Sequence, residues 1–308
     1  MLLMKARVHR QIGTARQLEI FLTVYEARSI TRAAKQLFLT QPTVSMQIAK
    51  LADTVGFPLY YLDGKRMSFT EAGEIVAAHA RSILREYEYL DLALSSVREM
   101  EAGHVSLAIV TTAKYFIPHL IGPFSEDHPQ VDLSLKIGNR GEILRRVERD
   151  EDDFYVFSNP PRDQEFELIP FLSNRLVAIA PENHPLAMER KIPVDRFMDE
   201  PFLSREAGSG SRNGIERHLQ RCGIEYKPRM IIESNEAIRH AVMSNLGVSI
   251  VSEHTLNYGG AAGLAVLDVI GLPIESSWYL VRRLVRPLSP AARALQDCLV
   301  SRHPESSR

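Results

Sequence analysis

Four short polar clusters in the C-terminal two thirds of the chain carry groups suited to holding a small anion. They are Thr111-Thr112-Ala113-Lys114, Asn139-Arg140, Ser204-Arg205-Glu206 continuing through Gly208-Ser209-Gly210-Ser211-Arg212, and Ser234-Asn235-Glu236. Each stands where a strand pattern gives way to a helical one, the position at which α/β folds bind ligands. Each would present backbone N–H groups at a helix N-terminus, and several add an arginine, a combination that favours an anionic ligand. The candidate set is Thr111, Thr112, Lys114, Asn139, Arg140, Ser204, Arg205, Ser209, Gly210, Ser211, Arg212, Ser234 and Asn235. Helix capping is the competing explanation. Thr112, Asn139, Ser209, Ser211 and Ser234 are all good caps, and for any one of them capping accounts for the residue at least as well. Binding is favoured only if the fold brings the four loops to one cleft. Gly208-Ser209-Gly210 imitates part of a dinucleotide fingerprint, but Asn213 stands where the third glycine belongs and no first-strand βαβ context surrounds it.

A different chemistry is written near the N-terminus. Residues 41–55 form a helical pattern whose apolar stripe is Val44, Ile48, Leu51 and Val55. Opposite that stripe lie Pro42, Met46 and Ala49, flanked by Thr43, Lys50 and Ser45, with Gln41 at the N-terminus and no acid before Asp53. Small polar side chains on an acid-free face suit base edges and phosphates in a major groove. The Asp63-Gly64 turn signal, followed by Lys65 and Arg66, predicts a basic hairpin tip able to reach backbone phosphate as a wing. Arg32 completes the candidate DNA-facing set. A plain helical hairpin is the blander alternative and the more common one; the composition of the 41–55 helix tilts the balance.

Enzymatic chemistry is poorly represented. His119, His128 and His184 show no metal spacing, and no Ser/His/Asp or Cys/His set is evident. Cys222 and Cys298, the only cysteines, form no CxxC pair and are expected to be reduced thiols. No catalytic residue, metal or cofactor is expected. Residues 1–70 hold ten Lys/Arg against four Asp/Glu, so this block is basic although the chain's net charge is −1. A basic block on an acidic body suits a module that meets phosphates. Met1-Leu2-Leu3-Met4 runs at once into Lys5, Arg7 and Arg10, and no apolar run approaches the roughly 20 residues a membrane span needs. A cytoplasmic protein without a membrane partner is expected.

The elements that must position these groups fall into three regions. In residues 16–70, Leu18, Phe21, Leu22 and Tyr25 make one helical stripe, and Ile30, Ala33, Ala34 and Leu37 another, capped by Ser29. A break at Phe38-Leu39-Thr40 precedes the 41–55 helix, which Thr40 caps and Gly56 ends. From Thr70 to about Ala102 one helix, roughly 48 Å long, is expected. Along it Val76, Ile83, Leu90 and Val97 recur every seven residues, with Ala80, Tyr87 and Leu94 at the alternate position. That seam predicts a dimer, and two recognition helices then call for an operator with an interrupted inverted repeat. Gly103 is expected as a hinge. From Val105 onward, strands alternate with helices as in an α/β domain.

Leu18 to Gly73 closely resembles the winged helix-turn-helix of LysR-type transcriptional regulators. The most specific matches are Ala33-Ala34, the run Thr40 to Ile48, Gly56-Phe57-Pro58-Leu59 and Thr70-Glu71-Ala72-Gly73. The resemblance implies DNA contacts by Gln41, Pro42, Thr43, Ser45, Met46 and Gln47; Gln47 lies near the core stripe and has the weakest support from its position alone. About Val105 to Leu299 resembles the two-lobed effector domain of that family, similar to a periplasmic binding protein. Within the family the likeness is to regulators of carbon-fixation (Rubisco) operons, carried by TTAKYFIP at 111–118, SLKIGNR at 134–140, VAIAPENHPLA at 177–187, EPFLSREAGSGSR at 200–212, ESNEAIRHAVMSNLGVSIVS at 233–252 and LDVIGLPI at 267–274.

The resemblance implies an N-terminal all-α winged helix-turn-helix, a long linker helix and a C-terminal α/β two-lobed domain. The corresponding boundaries are a basic extension at 1–15, expected to be disordered, a DNA-binding domain at 16–70, a linker at 71–103 and an effector domain at 104–308. Lobe I would take about 104–174 and 277–308, and lobe II about 175–276. A phosphorylated sugar, a carboxylated metabolite or a nucleotide is the implied effector, a tetramer the implied assembly, and RNA polymerase a further partner. Regulation of an unrelated operon, or a cytosolic solute-binding role, are the alternatives. One departure is Asp153-Phe154-Tyr155-Val156-Phe157-Ser158 in place of a plainer aliphatic strand ending in Gly, where bulky aromatics are expected to reshape the cleft or the lobe interface.

Overall fold

The computed structural model describes residues 13–64, 66–95 and 103–301. The first twelve residues, Lys65, Val97 and the expected end of the long helix lie outside these. The chain divides into two compact units, Met1–Leu94 and Ser95–Arg308, and each is described by itself.

In the first unit, Thr14 and Gln17 close a capping box on helix α1 (Ala15–Ala27), which ends at Arg28 in a left-handed conformation. Ser29 caps α2 (Ile30–Gln36) and Thr40 caps α3 (Gln41–Val55); Pro42 sits in the first turn of α3, and Gly56 ends it at φ +83°. Strands β1 (Tyr60–Asp63) and β2 (Arg66–Phe69) pair antiparallel, with Asp63 opposite Arg66. The α1 stripe is wider than the sequence suggested, because Ile20 and Val24 join Leu18 and Phe21 in the core with Ala33, Ala34, Val44, Ile48 and Leu51. Helix α4 (Glu71–Ser95) starts from Thr70, whose hydroxyl accepts from Gly73 N–H and donates to the Pro58 carbonyl. Ala80 is buried against the domain, whereas Ile83, Tyr87, Leu90 and Leu94 stand exposed at alternating spacings of four and three.

The second unit begins with β3 (Gly103–Val110), a 3-10 turn (Thr111–Tyr115), α5 (Ile117–Asp127), β4 (Val131–Gly138), α6 (Arg140–Arg149) and β5 (Phe154–Phe157). Then come the long β6 (Phe166–Pro181), α7 (Val194–Met198), β7 (Phe202–Ser204), α8 (Gly210–Arg221) and β8 (Met230–Ile231). The unit closes with α9 (Asn235–Met243), β9 (Val248–Ser252), α10 (Glu253–Gly259), β10 (Leu264–Val266), β11 (Ile274–Arg283) and α11 (Pro290–Ser301). Among the described residues its strands form one mixed sheet in the order β4-β3-β5-β11-β6-β9-β7-β8, with β10 also on β6.

Strands β6 and β11 pair along their length, Ile274 opposite Leu176 through Arg283 opposite Phe166, with an irregularity between Trp278 and Tyr279. The two strands join the lobes. At one end β11 meets β5; at the other, β6 meets β9 and β10. Each lobe packs apolar clusters on both faces of its part of the sheet, around Phe116, Phe154 and Trp278 and around Tyr155 and Phe157 in lobe I, and around Phe197 and Ile215 and around Ile238 and Val242 in lobe II.

Two expectations are corrected. Gly103 is no free hinge: it is the first paired residue of β3, opposite Val131. The aromatic stretch at 154–157 does not reshape the cleft, because all four of its side chains are fully buried in lobe I. Tyr155 donates to the Arg146 carbonyl, and burial pushes its hydroxyl pKa well above the ordinary phenolic value. The acids before it are structural too. Asp153 accepts from Ser106 N–H and Oγ, both at 2.8 Å, and pairs with Arg286 at 3.0 Å; Asp152 takes a bidentate bond from Arg146 at 2.7 and 2.9 Å. Among the described residues no helix is long and apolar enough to cross a membrane.

Candidate DNA-reading surface and effector cleft

Once α3 buries Val44, Ile48 and Leu51, its opposite face must meet solvent or a partner. Gln41, Pro42, Met46 and Lys50 are exposed there, with Thr43 and Ser45 half-buried beside them. Thr43 is held at the N-terminus, its N–H on the Thr40 hydroxyl and its own hydroxyl 2.8 Å from that of Thr40. Gln47 differs from its neighbours: its Oε1 accepts from Gln17 Nε2 at 3.3 Å, which ties it to α1. Arg32 lies exposed on α2 and Arg66 on the hairpin; Lys65 lies outside the described residues. Sequence reasoning treated Phe38 only as part of a break, yet this aromatic is 96 % exposed in the helix-turn-helix turn at φ +55°. The surface is apolar at Met46, polar at its flanks and free of acid as far as Asp53, as a groove-reading surface requires.

In the second unit the strand-to-helix junctions of both lobes meet. Arg205 of lobe II is only 5 % exposed. Its guanidinium donates to Glu206 at 2.7 and 2.9 Å, to Asn235 Oδ1 at 2.8 Å and to Thr111 Oγ1 of lobe I at 3.3 Å. Asn235 in turn donates from Nδ2 to Thr112 Oγ1 at 2.8 Å, and Lys114 pairs with Glu236 at 3.0 Å. Thr111, Thr112, Lys114, Arg205 and Asn235 are therefore brought together across the lobes. Beside them a cleft of about 550 Å³ is lined by Thr111, Asn139, Arg140, Glu206, Ser209 and Glu233, among others.

Arg140 donates through Nε and Nη2 to a single acceptor, the Asn159 carbonyl, at 3.4 and 3.2 Å. It has no carboxylate partner among the described residues, and burial lowers its basicity from the ordinary guanidinium value. Gly210 reaches the other lobe closely: a Cβ on it would stand 2.5 Å from Ser158 Oγ.

Capping accounts for part of the candidate set. Asn139 caps α6 in a reciprocal box with Glu142, a pattern visible in the sequence as Asn-x-x-Glu. Ser209 caps α8 and bonds Ser211, and Ser234 caps α9. Ser204 and Arg212 are drawn away from the cleft. Ser204 is buried against the Tyr226 hydroxyl; Arg212 bonds Glu216 at 2.7 Å and the Arg205 carbonyl at 3.2 Å, above the Tyr226 ring. Sequence reasoning missed Asn159, which sits in a strand-to-strand loop with no strand-to-helix signature, and Glu233, which immediately precedes the Ser234-Asn235-Glu236 junction but, as an acid, does not suit an anion. The histidines are engaged elsewhere: His119 stacks on Tyr258, His128 meets the Phe124 ring at a tilt, and His184 caps a 3-10 turn. Among the described residues no group of three or more His, Cys, Asp and Glu is placed to hold a metal, and both cysteines are free.

Residues 15–74 match the family model for the bacterial regulatory helix-turn-helix protein of the lysR family, and residues 98–304 match the LysR substrate binding domain. The chain is 39 % identical over 288 residues to the HTH-type transcriptional activator CmpR of Synechocystis, covering 93 % of this chain and 95 % of that one. It is 38 % identical, also over 288 residues, to the RuBisCO operon transcriptional regulator of Acidithiobacillus ferrooxidans, covering 93 % of both. Among solved structures, the Synechocystis CcmR regulatory domain in complex with 2-PG superposes with a TM-score of 0.62 at 39 % identity, covering 65 % of this chain and 97 % of that one. An exposed polar face on a winged helix-turn-helix, a two-lobed domain with a polar cleft, and these likenesses agree: the chain belongs to the LysR family of transcriptional regulators and is related to the regulators of carbon-fixation operons.

Proposed function

We propose that this regulator controls a carbon-fixation or central carbon operon in response to a small phosphorylated carboxylate, with 2-phosphoglycolate as the leading candidate. The observation that carries the proposal is the cleft itself, where a half-buried Arg140 without a carboxylate partner faces a polar network shared between the lobes. The complex of the related CcmR domain supports the ligand class. Thr111, Asn139, Arg140 and Ser209 would meet the ligand directly, Gly210 would govern how closely lobe II approaches Ser158, and Arg205 and Asn235 would hold the lobes around it. The exposed seam of Ile83, Tyr87, Leu90 and Leu94 makes the dimer, and sensor-domain contacts make the tetramer. Gln41, Pro42, Thr43, Ser45, Met46 and Lys50 read half-sites of an interrupted inverted repeat, while Arg32, Lys65 and Arg66 hold phosphate. Effector binding alters DNA bending and access for RNA polymerase in the cytoplasm.

The test is calorimetric titration of 2-phosphoglycolate into the full chain, with glycolate as the control lacking phosphate. Binding is expected for the first and not the second, with Arg140→Gln weakening it about tenfold or more through loss of a charge-assisted contact. Footprints of the purified chain that stay sequence-blind, or no heat with 2-phosphoglycolate, would overturn the proposal.

A further inference from the structure

A second and larger cavity, about 930 Å³, lies over the paired strands that join the lobes. No residue lines both this cavity and the interlobe cleft. Asn174, Ser276 and Tyr279 of β6 and β11 contribute to its floor, and its sides come from the 158–164 segment of lobe I and from α8 of lobe II.

Three arginines converge on it: Arg162 from lobe I, and Arg217 and Arg221, one turn apart on α8. Among the described residues none of them pairs with a carboxylate. Arg217 donates from Nε to the Asn213 carbonyl at 3.1 Å, Arg221 to the Arg217 carbonyl at 3.3 Å, and Arg162 has neither a hydrogen bond nor an ion pair. Other exposed arginines of the domain are divided: Arg145, Arg190, Arg229 and Arg293 have no ion pair among the described residues either, whereas others do. Arg175 pairs with Glu253 and Glu275, and Arg196 with Glu189. Two acids border the cavity, but Glu275 is already neutralised by Arg175 at 3.2 Å, which leaves Asp163 against three cations.

We infer that this cavity is a second ligand site, separate from the effector cleft, that takes a phosphate ester of sugar-phosphate or nucleotide size. Converging guanidinium groups without carboxylate partners recognise a phosphate by charge and by paired N–H donation. The volume falls within the range that metabolite sites occupy. Arg162 belongs to one lobe and Arg217 and Arg221 to the other, so an anion between them favours the lobes drawn together. Occupancy is thereby linked to the effector cleft, and each ligand tightens the other.

The experiment is calorimetry on the full chain with ribose 5-phosphate, AMP and inorganic phosphate as probes, each alone and with 2-phosphoglycolate saturating. At least one ester is expected to bind one site per chain without competing with 2-phosphoglycolate. Arg217→Gln/Arg221→Gln, on the exposed face of α8, should weaken it about tenfold or more, and Arg162→Gln, on the other lobe, should weaken it as well. Arg140→Gln, which touches this cavity only through the Asn159 carbonyl, should weaken it less than the double variant does. Binding by AMP alone names a nucleotide as the ligand, and binding by ribose 5-phosphate alone names a sugar phosphate. The inference is overturned if no probe binds below about 5 mM. Unaltered binding by the double variant, or competition with 2-phosphoglycolate together with a loss in Arg140→Gln that matches or exceeds the double variant's, overturns it too. Failure of 2-phosphoglycolate to bind while an ester still depends on Arg217 and Arg221 would sink the effector assignment and leave this site standing.

Discussion

Replacing Gly73 by alanine sets two physical effects of opposite sign against each other. Gly73 lies in the first turn of α4, where helix propensity alone favours alanine by about 1 kcal/mol. The structure forbids the gain. A Cβ at this position would stand 2.0 Å from the backbone carbonyl oxygen of Leu59, about 1.3 Å inside ordinary carbon–oxygen contact. A carbonyl cannot rotate away as a side chain does. It is also pinned, because the Leu59 oxygen accepts from Thr70 N–H at 3.2 Å while the Thr70 hydroxyl donates to the Pro58 carbonyl at 2.6 Å. Overpacking costs about 1–3 kcal/mol and the displaced hydrogen bond about 1 more. Against the propensity gain, a net destabilisation of about 2 kcal/mol remains. In a domain of this size that lowers the melting temperature of the N-terminal unit by about 10 °C. The readouts are the thermal unfolding of the full chain, followed with and without operator DNA, and operator affinity. The first transition should move down and DNA binding should weaken as the hairpin carrying Arg66 shifts, while 2-phosphoglycolate binding stays at the wild-type value. A Gly73→Ala chain whose first transition is unchanged or raised would refute the close-approach argument.

Two further outcomes follow from the geometry. Met46→Ala should change which sites are recovered from a randomised operator pool, because Met46 is half exposed at the centre of the α3 face, whereas Ser45→Ala should weaken all sites alike; an unchanged site preference for Met46→Ala would mean that this helix docks differently. Gly210→Ala should weaken 2-phosphoglycolate about fivefold by holding Ser158 off, and Ser158→Ala in the same chain should restore it; calorimetry showing simply additive losses would show that the close approach does not govern lobe closure.

The N-terminal unit was legible because its determinants are local. The caps at Ser29 and Thr40, the left-handed end at Gly56 and the Asp63–Arg66 hairpin each depend on residues within about four positions of one another. The sensor's junctions were legible as places, since a strand followed by a capped helix is again a local pattern. What each side chain does there was not. Arg205 meets Asn235 thirty residues on, and Asn235 meets Thr112 at a separation of 123. Ser204 and Arg212 carried the same signature as Ser209, yet Tyr226 and Glu216 claim them. The aromatic stretch at 154–157 misled for the same reason: its burial depends on β3 and β11 on its two sides, far away in sequence. Arg217 and Arg221 are paired locally, one turn apart on α8, but Arg162 joins them only through the pairing of β6 with β11, which sets one lobe beside the other.

An effector shifts a regulator only through contacts that differ between its states. Counting charges in the cleft appears at first to forbid an anion, since Glu142, Glu206 and Glu233 line it against Arg140. Two of those acids are already committed: Glu142 closes the α6 cap, and Glu206 takes the guanidinium of Arg205 in a bidentate pair. Glu142 and Glu233 have no cationic partner among the described residues, so Arg140 faces two carboxylates, and the charge of Glu142 is offset only in part by the N-terminus of α6 that it caps. Arg205, often the kind of residue chosen as an anion anchor because it is buried and hydrogen-bonded, is for those reasons the poorer one here: a phosphate would have to displace Glu206 to gain it. Arg140 carries the opposite balance. Its guanidinium has lost water to burial and received only a carbonyl in return, and an incoming phosphate compensates that loss directly. On the proposed reading the ligand would bind at Arg140 on lobe I, and the Arg205–Asn235–Thr111–Thr112 network would pass the change to lobe II. Removal of Arg140 is therefore expected to weaken affinity about tenfold or more, and removal of Asn235 to leave a ligand that binds without switching.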